Sequence, residues 1–262
     1  MIHLNIEKGS YVSRNSYHND IVFKVISIRN NICYLKGEEV RLYADSPIED
    51  LKIENQPQET NNDLAKQIKE EKKQDRDDYF YLPGKILHID GDSDFLDRCL
   101  KFYNEAGIYA IGKKISEKNI YEQIRQLLEE YRPDIVIITG HDAYYSKKGS
   151  QEDLNNYKNT KYFIKAVKEA RKYEKSHEKL IIIAGACQSD YEELIKAGAN
   201  FASSPKRVNI HALDPAIIAS TIALTKRSEP IDLINLLEKT KNGKAGIGGI
   251  MGNGVMYVGY PR

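Results

Sequence analysis

Asp134-Ile135-Val136-Ile137-Ile138-Thr139-Gly140-His141-Asp142 and Lys179-Leu180-Ile181-Ile182-Ile183-Ala184-Gly185-Ala186-Cys187-Gln188 decide how this chain folds. Each is an unbroken apolar run of strand length that ends in a glycine and a reactive side chain. A strand with one wet face alternates apolar and polar residues; a run without alternation suits a strand covered on both faces, as in a parallel sheet. Outward from these two runs the same rhythm repeats. Before them come the strand Lys85 to Asp90, a helix near Ser93 to Glu105, a short strand around Tyr109-Ala110-Ile111 and a helix at Ser116 to Tyr131; a helix near Thr160 to Tyr173 lies between them. After them follow a helix from Tyr191 to Ala197, the strand Asn200 to Ser204, and helices near Asp214 to Leu224 and Ile231 to Lys239. This βα repetition predicts an α/β domain with a mostly parallel sheet and helices on both faces. The glycine-rich tail, Gly246 to Gly254, has no P-loop lysine and no following helix, so it reads as a closing hairpin rather than a phosphate cradle.

Upstream the pattern is different. Residues 1–55 read as short strands: Ile21 to Ile28 is strongly β-forming, and Arg29-Asn30-Asn31 is a turn before Ile32-Cys33-Tyr34-Leu35. A small SH3-like β-barrel domain is expected there. Residues 56–80 are dense in charge of both signs and read as a solvated linker, helical at Leu64 to Lys73. The α/β domain then occupies 81–262.

A length of 262 residues suits about two domains, and 41% hydrophobic with 29% charged residues is ordinary for a globular protein. Lys plus Arg (39) nearly balances Asp plus Glu (38), so no overall field exists to hold a nucleic acid. Locally, Lys24, Arg29, Lys36 and Arg41 are offset by Glu38, Glu39, Glu49 and Asp50, which favours protein docking over RNA binding. No apolar run reaches the roughly 18 residues of a membrane helix, and Met1 to Leu4 lacks the basic segment of a secretion signal, so neither membrane insertion nor export is expected. Cys33, Cys99 and Cys187 have neither the number nor the spacing of a disulfide framework or thiolate metal site, which suits a reducing compartment. No histidine has metal-ligand spacing, so no metal is expected.

Ligands of open α/β sheets bind in the crevice at the carboxyl ends of the strands. The first such loop, Asp90-Gly91-Asp92-Ser93-Asp94, resembles the metal-holding corner of receiver domains, but Asp92 or Ser93 as a helix cap explains it better, and Thr139 stands where a receiver needs its phosphoryl acceptor. The two deciding runs are more telling. Sequential strands commonly pair, which sets their ends about 5 Å apart and lets His141 and Cys187 face one cleft. A lone cysteine is usually buried and a lone histidine usually structural, so it is their coincidence at corresponding strand ends that points to function. An imidazole beside a thiol raises its thiolate fraction and can later protonate a leaving amine, which is the chemistry of acyl transfer. Gly140 and Gly185 would leave room for substrate, and N–H groups at Cys187 and in the His141 loop, at Gly140 and Asp142, would hold an oxyanion. Cys33 and Cys99 read as core residues; His211 either lines the crevice or enters a helix; the polar stretch 143–156 is a flap or a surface loop.

Particular stretches are unusual in composition: Tyr11 to Tyr17, Tyr131-Arg132-Pro133-Asp134, Thr139-Gly140-His141-Asp142, Asp153 to Tyr157, Lys161-Tyr162-Phe163, Gly185-Ala186-Cys187-Gln188-Ser189, Ala197 to Arg207 and Ile210 to Pro215. Through them nearly the whole chain resembles the YabG family of sporulation-specific cysteine peptidases, and more distantly the caspase-like peptidases. The resemblance implies a caspase-like fold and an endopeptidase that cleaves after arginine and processes spore coat and other sporulation proteins. It would work in the mother-cell cytoplasm or at the coat, with His141 and Cys187 as its catalytic pair and no cofactor. Asp142 stands where caspase-like enzymes carry a glycine after the histidine. A pocket for arginine requires a carboxylate, for which Asp214, Asp190 and Asp142 are the candidates. Asp142 is alternatively the group that orients His141. The competing expectation is a non-catalytic coat-assembly or ligand-binding module docked by its amino-terminal domain.

Overall fold

The computed structural model describes residues 6–57, 62–71 and 78–261. Met1 to Leu4 and the Lys72-Lys73 end of the expected helix lie outside the described residues. The chain divides into two compact units, Met1–Thr60 and Asn61–Arg262. Among the described residues no helix is long and apolar enough to cross a membrane.

The first unit holds β1 (Tyr11–Arg14), β2 (Phe23–Arg29), β3 (Ile32–Gly37), β4 (Tyr43–Pro47) and β5 (Leu51–Ile53), joined as an antiparallel sheet in the order β4-β3-β2-β1-β5. Asn30 and Asn31 turn β2 into β3 with φ of 48° and 61°, the left-handed pair that a two-residue hairpin matched to strand twist requires. Alternate residues point inward, so Val12, Phe23, Val25, Cys33, Leu35 and Leu51 form one core. The sheet does not close into the expected barrel. β4 and the three-residue β5 lie at opposite edges of the order and do not pair.

The second unit begins with α1 (Asn62–Glu71) and β6 (Phe80–Leu82), then β7 (Ile86–Asp90), α2 (Ser93–Glu105), β8 (Ala110–Lys114), α3 (Ile120–Tyr131) and β9 (Ile135–Thr139). It continues with α4 (Thr160–Tyr173), β10 (Ile181–Ala184), α5 (Tyr191–Lys196), β11 (Phe201–Ser203) and α6 (Asp214–Ala223). It ends with α7 (Leu233–Glu238), α8 (Gly243–Gly246), β12 (Ile247–Gly249) and β13 (Tyr257–Gly259). Far from being solvated all round, α1 buries Ala65 and Ile68 and packs against α2 and α6. Two apolar residues one turn apart are enough to seat a helix whose other faces are charged.

Its main sheet has the order β12-β11-β10-β9-β7-β8, parallel from β8 to β11. Every residue of β7, β9 and β10 is buried, as the unalternating runs predict. One face meets α3, α4 and α5 through Leu87, Ile89, Val136, Ile138 and Ile182, while α2 and α6 contact β7 and β9. All ten residues of α6 are buried, in keeping with its apolar circumference.

The glycine-rich tail is not a hairpin. β12 runs antiparallel along the β11 edge and β13 pairs with β6 in a separate two-stranded sheet. Close backbone approach accounts for glycine here: a Cβ on Gly249 would stand 2.4 Å from the Phe201 ring and 2.7 Å from the Asn200 carbonyl.

Candidate active site

Strand order builds the site. Register places Asp90 of β7 beside Thr139 of β9, and Ile138 of β9 beside Ala184 of β10. The loop carrying His141 therefore emerges between the loop carrying Asp92 and the loop carrying Cys187. Three links stitch the His141 and Cys187 loops together: Thr139 Oγ1 donates to the Gly185 carbonyl at 3.0 Å, Ser189 Oγ to Asp142 Oδ2 at 2.8 Å, and the Tyr144 N–H to Gln188 Oε1 at 3.1 Å.

His141 is almost fully buried. Its ring packs against Phe95 of α2 with centroids 5.8 Å apart, and Nε2 lies 2.9 Å from Oδ2 of Asp92. The other oxygen of Asp92 caps α2, accepting from the N–H groups of Asp94 at 2.9 Å and Phe95 at 3.3 Å. Capping, the reading favoured by sequence, is thus half of what this carboxylate does. A single sequence cannot reveal the other half, because the contact with His141 spans 49 residues.

The Cys187 sulfur is covered. Its S–H donates to the Ile210 carbonyl at 3.6 Å and Sγ accepts from the Ile210 N–H at 3.3 Å, so one backbone residue of the segment entering α6 overlies it. Gln188 holds that segment down, donating from its N–H to the Val208 carbonyl and from Nε2 to Asn209 Oδ1, both at 3.1 Å. Gln188 itself has φ of 59°, a costly conformation for a non-glycine residue directly after the cysteine. The positive end of α5 is used by Asp190, whose Oδ1 accepts from the Glu193 N–H at 3.2 Å, rather than by Cys187.

Glu117, unremarked in the sequence, lies at the centre of the β7 and β9 loops. Its Oε1 accepts from the His141 N–H at 2.8 Å. A Cβ on Gly91 would lie 2.3 Å from this oxygen and one on Gly140 2.5 Å, so these glycines make room for the Glu117 carboxylate. That replaces the expectation that Gly140 leaves room for substrate. At Gly185, with φ of +102°, an added Cβ would crowd Leu194 at 2.8 Å and the Ser203 carbonyl at 3.2 Å, so its space is also taken.

The three carboxylates expected to meet arginine are all buried. Asp142 accepts from the N–H groups of Ala143 at 2.9 Å and Asn159 at 2.7 Å and from the hydroxyls of Ser189 and Thr160. Burial pushes its carboxyl above the ordinary range against the pull of these four donors. Asp142 thus anchors the start of α4, and Asp92 takes the place beside the imidazole. Asp214 accepts from the N–H groups of His211 at 2.9 Å and Lys241 at 3.0 Å. His211 lies in the turn that leads into α6, its Nδ1 accepting from the Leu213 N–H at 3.1 Å. Asp190 pairs with Arg207 Nη2 at 3.1 Å and lines a groove with Gln151, Glu152, Glu192 and Glu193.

The polar loop, readable from sequence as a flap or as a surface loop, is tied at its base, where Tyr144 bridges Tyr157 and the Lys158 N–H donates to the Ala143 carbonyl at 3.0 Å. Cys33 and Cys99 are core residues as expected, and Cys99 Sγ donates to the Ala212 carbonyl at 3.5 Å. Among the described residues no group of three or more His, Cys, Asp or Glu side chains is placed to hold a metal ion.

Comparison with known proteins gives this geometry its context. The chain is 41% identical over 286 residues to the sporulation-specific protease YabG of Bacillus subtilis (strain 168), covering 98% of this chain and 99% of that protein. The sequence profile described as YabG peptidase U57 matches residues 7–261, nearly all of the chain. With adjoining strand ends that carry a histidine and a cysteine, and with likeness along its whole length, the chain belongs to the YabG peptidase family.

Proposed function

We propose that the chain is a cysteine endopeptidase of sporulation, with Cys187 as nucleophile and His141 as its proton partner. One observation carries the reading: β9 and β10 are paired in register and cross-linked at their ends, so the histidine and cysteine loops cannot separate. In the proposed cycle the thiolate attacks the scissile carbonyl, the imidazole protonates the departing amine, and water releases the acyl group. The oxyanion needs backbone donors, for which the N–H groups of Gly140, Asp142 and Cys187 remain the candidates; the His141 N–H is already held by Glu117. Because Ile210 overlies the sulfur, attack requires the Val208–Ile210 segment to move aside as substrate binds.

Cleavage after arginine is the finer part of the proposal. Of Asp142, Asp190 and Asp214, only Asp190 lines the groove, and it is already paired there with a guanidinium, that of Arg207. A substrate arginine would meet the same two carboxylates, Asp190 and Glu192, by displacing Arg207. Likeness to a sporulation-specific protease supports proteins of sporulation as substrates; spore coat proteins as targets and the mother cell as the place of action are finer parts of the proposal.

The burial of the sulfur favours the other reading, a non-catalytic coat-assembly module. A matched pair of assays separates the two. Pure wild-type protein should cleave an arginyl peptide in preference to its lysyl twin, and Cys187→Ala should lower turnover by at least about 10⁴-fold with circular dichroism unchanged. Undiminished cleavage by the variant would remove Cys187 from the chemistry, and a thiol inert to iodoacetamide in an inactive wild-type protein would favour the docking module.

A further inference from the structure

We propose that Asp92 is the positioning carboxylate of this site, holding the His141 ring by Nε2 so that proton exchange with Cys187 falls to Nδ1. The inference rests on the cysteine-peptidase reading and goes beyond the pair to a third member. Its basis is the order of strand ends, Asp92 after β7, His141 after β9 and Cys187 after β10, in neighbouring positions of one sheet.

Three features fit Asp92 for this role. The pair is close and shielded, 2.9 Å apart with side chains 5% and 10% exposed, where a carboxylate acts on an imidazole with little screening by water. The carboxylate is itself fixed: Oδ1 is held by two N–H groups of α2, and the Asp92 N–H donates to Asp90 Oδ1 at 2.9 Å. A group held at both its backbone and its other oxygen loses no freedom when it aims Oδ2 at the ring. The ring is also held from its flank by Phe95, one turn into the helix that Asp92 caps.

Each step balances with this assignment. The Cys187 S–H proton passes to Nδ1, giving thiolate and imidazolium, and Asp92 faces the positive ring through Nε2–H. Sulfur bonds to the carbonyl carbon, the C–N bond breaks, and the Nδ1 proton leaves on the amine. Water then gives a proton to Nδ1 and its hydroxyl to the acyl carbon, the C–S bond breaks, and the proton returns to sulfur. Without the Asp92 charge the positive ring formed in the first step loses its facing carboxylate, so proton transfer from Cys187 is less favourable.

The test uses Asp92→Asn in the full chain, because asparagine caps helices as well as aspartate and so preserves α2. Asp90 and Glu117, which accept from the N–H groups of Asp92 and His141, Asp94, whose N–H is capped by Asp92, and Arg98, which lies over the Phe95 ring, stay constant, so a difference between wild type and variant reports Asp92 alone. Expected are a fall in kcat of about 10²- to 10⁴-fold with KM nearly unchanged, and iodoacetamide labelling of Cys187 that reaches half its maximal rate at a higher pH than in wild type. If Asp92→Asn fails to fold, Asp92→Ser, which keeps a capping hydroxyl but cannot span to Nε2, gives the same readouts. Labelling that depends on His141 yet keeps its pH midpoint in the folded Asp92 variant would overturn this role alone. Labelling that ignores His141→Ala would overturn the pair and this role together.

Discussion

Asp142 is nearly inaccessible and receives four hydrogen bonds, yet burial still raises its carboxyl above the ordinary range. The sign of the consequence follows from linkage. A carboxyl whose folded value is raised binds its proton more tightly in the native state, so its stabilising contribution is complete below the unfolded value of about 3.9 and is lost as pH rises through the folded value. In Asp142→Asn, where Oδ1 keeps its two N–H donors, that loss disappears. The difference in melting temperature, wild type minus variant, should therefore decline as pH is raised above about 4; a difference independent of pH would mean that the carboxyl titrates no differently in the folded protein. Asp92 and Asp142 also illustrate what residue type leaves open. Both lie in loops at strand ends, and only neighbours distant in sequence decide that Asp142 anchors the start of α4 while Asp92 also reaches the imidazole.

At the scale of elements, α4 ends in a clamp. Arg171 in its last turn donates to the carbonyls of Gly198 at 2.7 Å and Leu180 at 2.9 Å, of Glu174 and Ser176 at 3.2 Å each, and to Asn200 Oδ1. Desolvation in this ring of carbonyls pushes Arg171 down to about 10. The clamp joins the entry to β10, the turn after α5 and the entry to β11, and so fixes the strand that delivers Cys187. Replacing Arg171 with Met keeps the apolar stem but strands several acceptors, and should cost about 2–4 kcal/mol, read as a lowered urea midpoint. Arg171→Lys should recover less than half of this, since an ammonium is a point donor and cannot span the ring. Equal stability of Lys and Arg would show that charge, and not the planar fork, holds these elements.

At the scale of the molecule, each unit has a core of its own, one around Phe23 and Leu35 and one around Val136, Ile138 and Ile182. A chain beginning at Asn61 should therefore unfold cooperatively with a urea midpoint close to that of the corresponding transition in the whole protein; a collapsed midpoint would mean that the α/β unit depends on the first. The sequence by itself determined the α/β class, the helices near Ser93–Glu105 and Thr160–Tyr173, and the strand ends that carry His141 and Cys187. It did so because a strand covered on both faces must be apolar throughout, and because sequential parallel strands pair, so composition and order carry the information locally. Only the tertiary structure decided that the first sheet stays open, that the tail adds an edge strand, that Glu117 fills the space beside Gly140, that Ile210 overlies the sulfur, and that Asp92 meets His141. Those outcomes depend on which strand lies next to which and on where each atom of a side chain with two acceptors points, and such long-range contacts leave no periodic mark in the residues that make them.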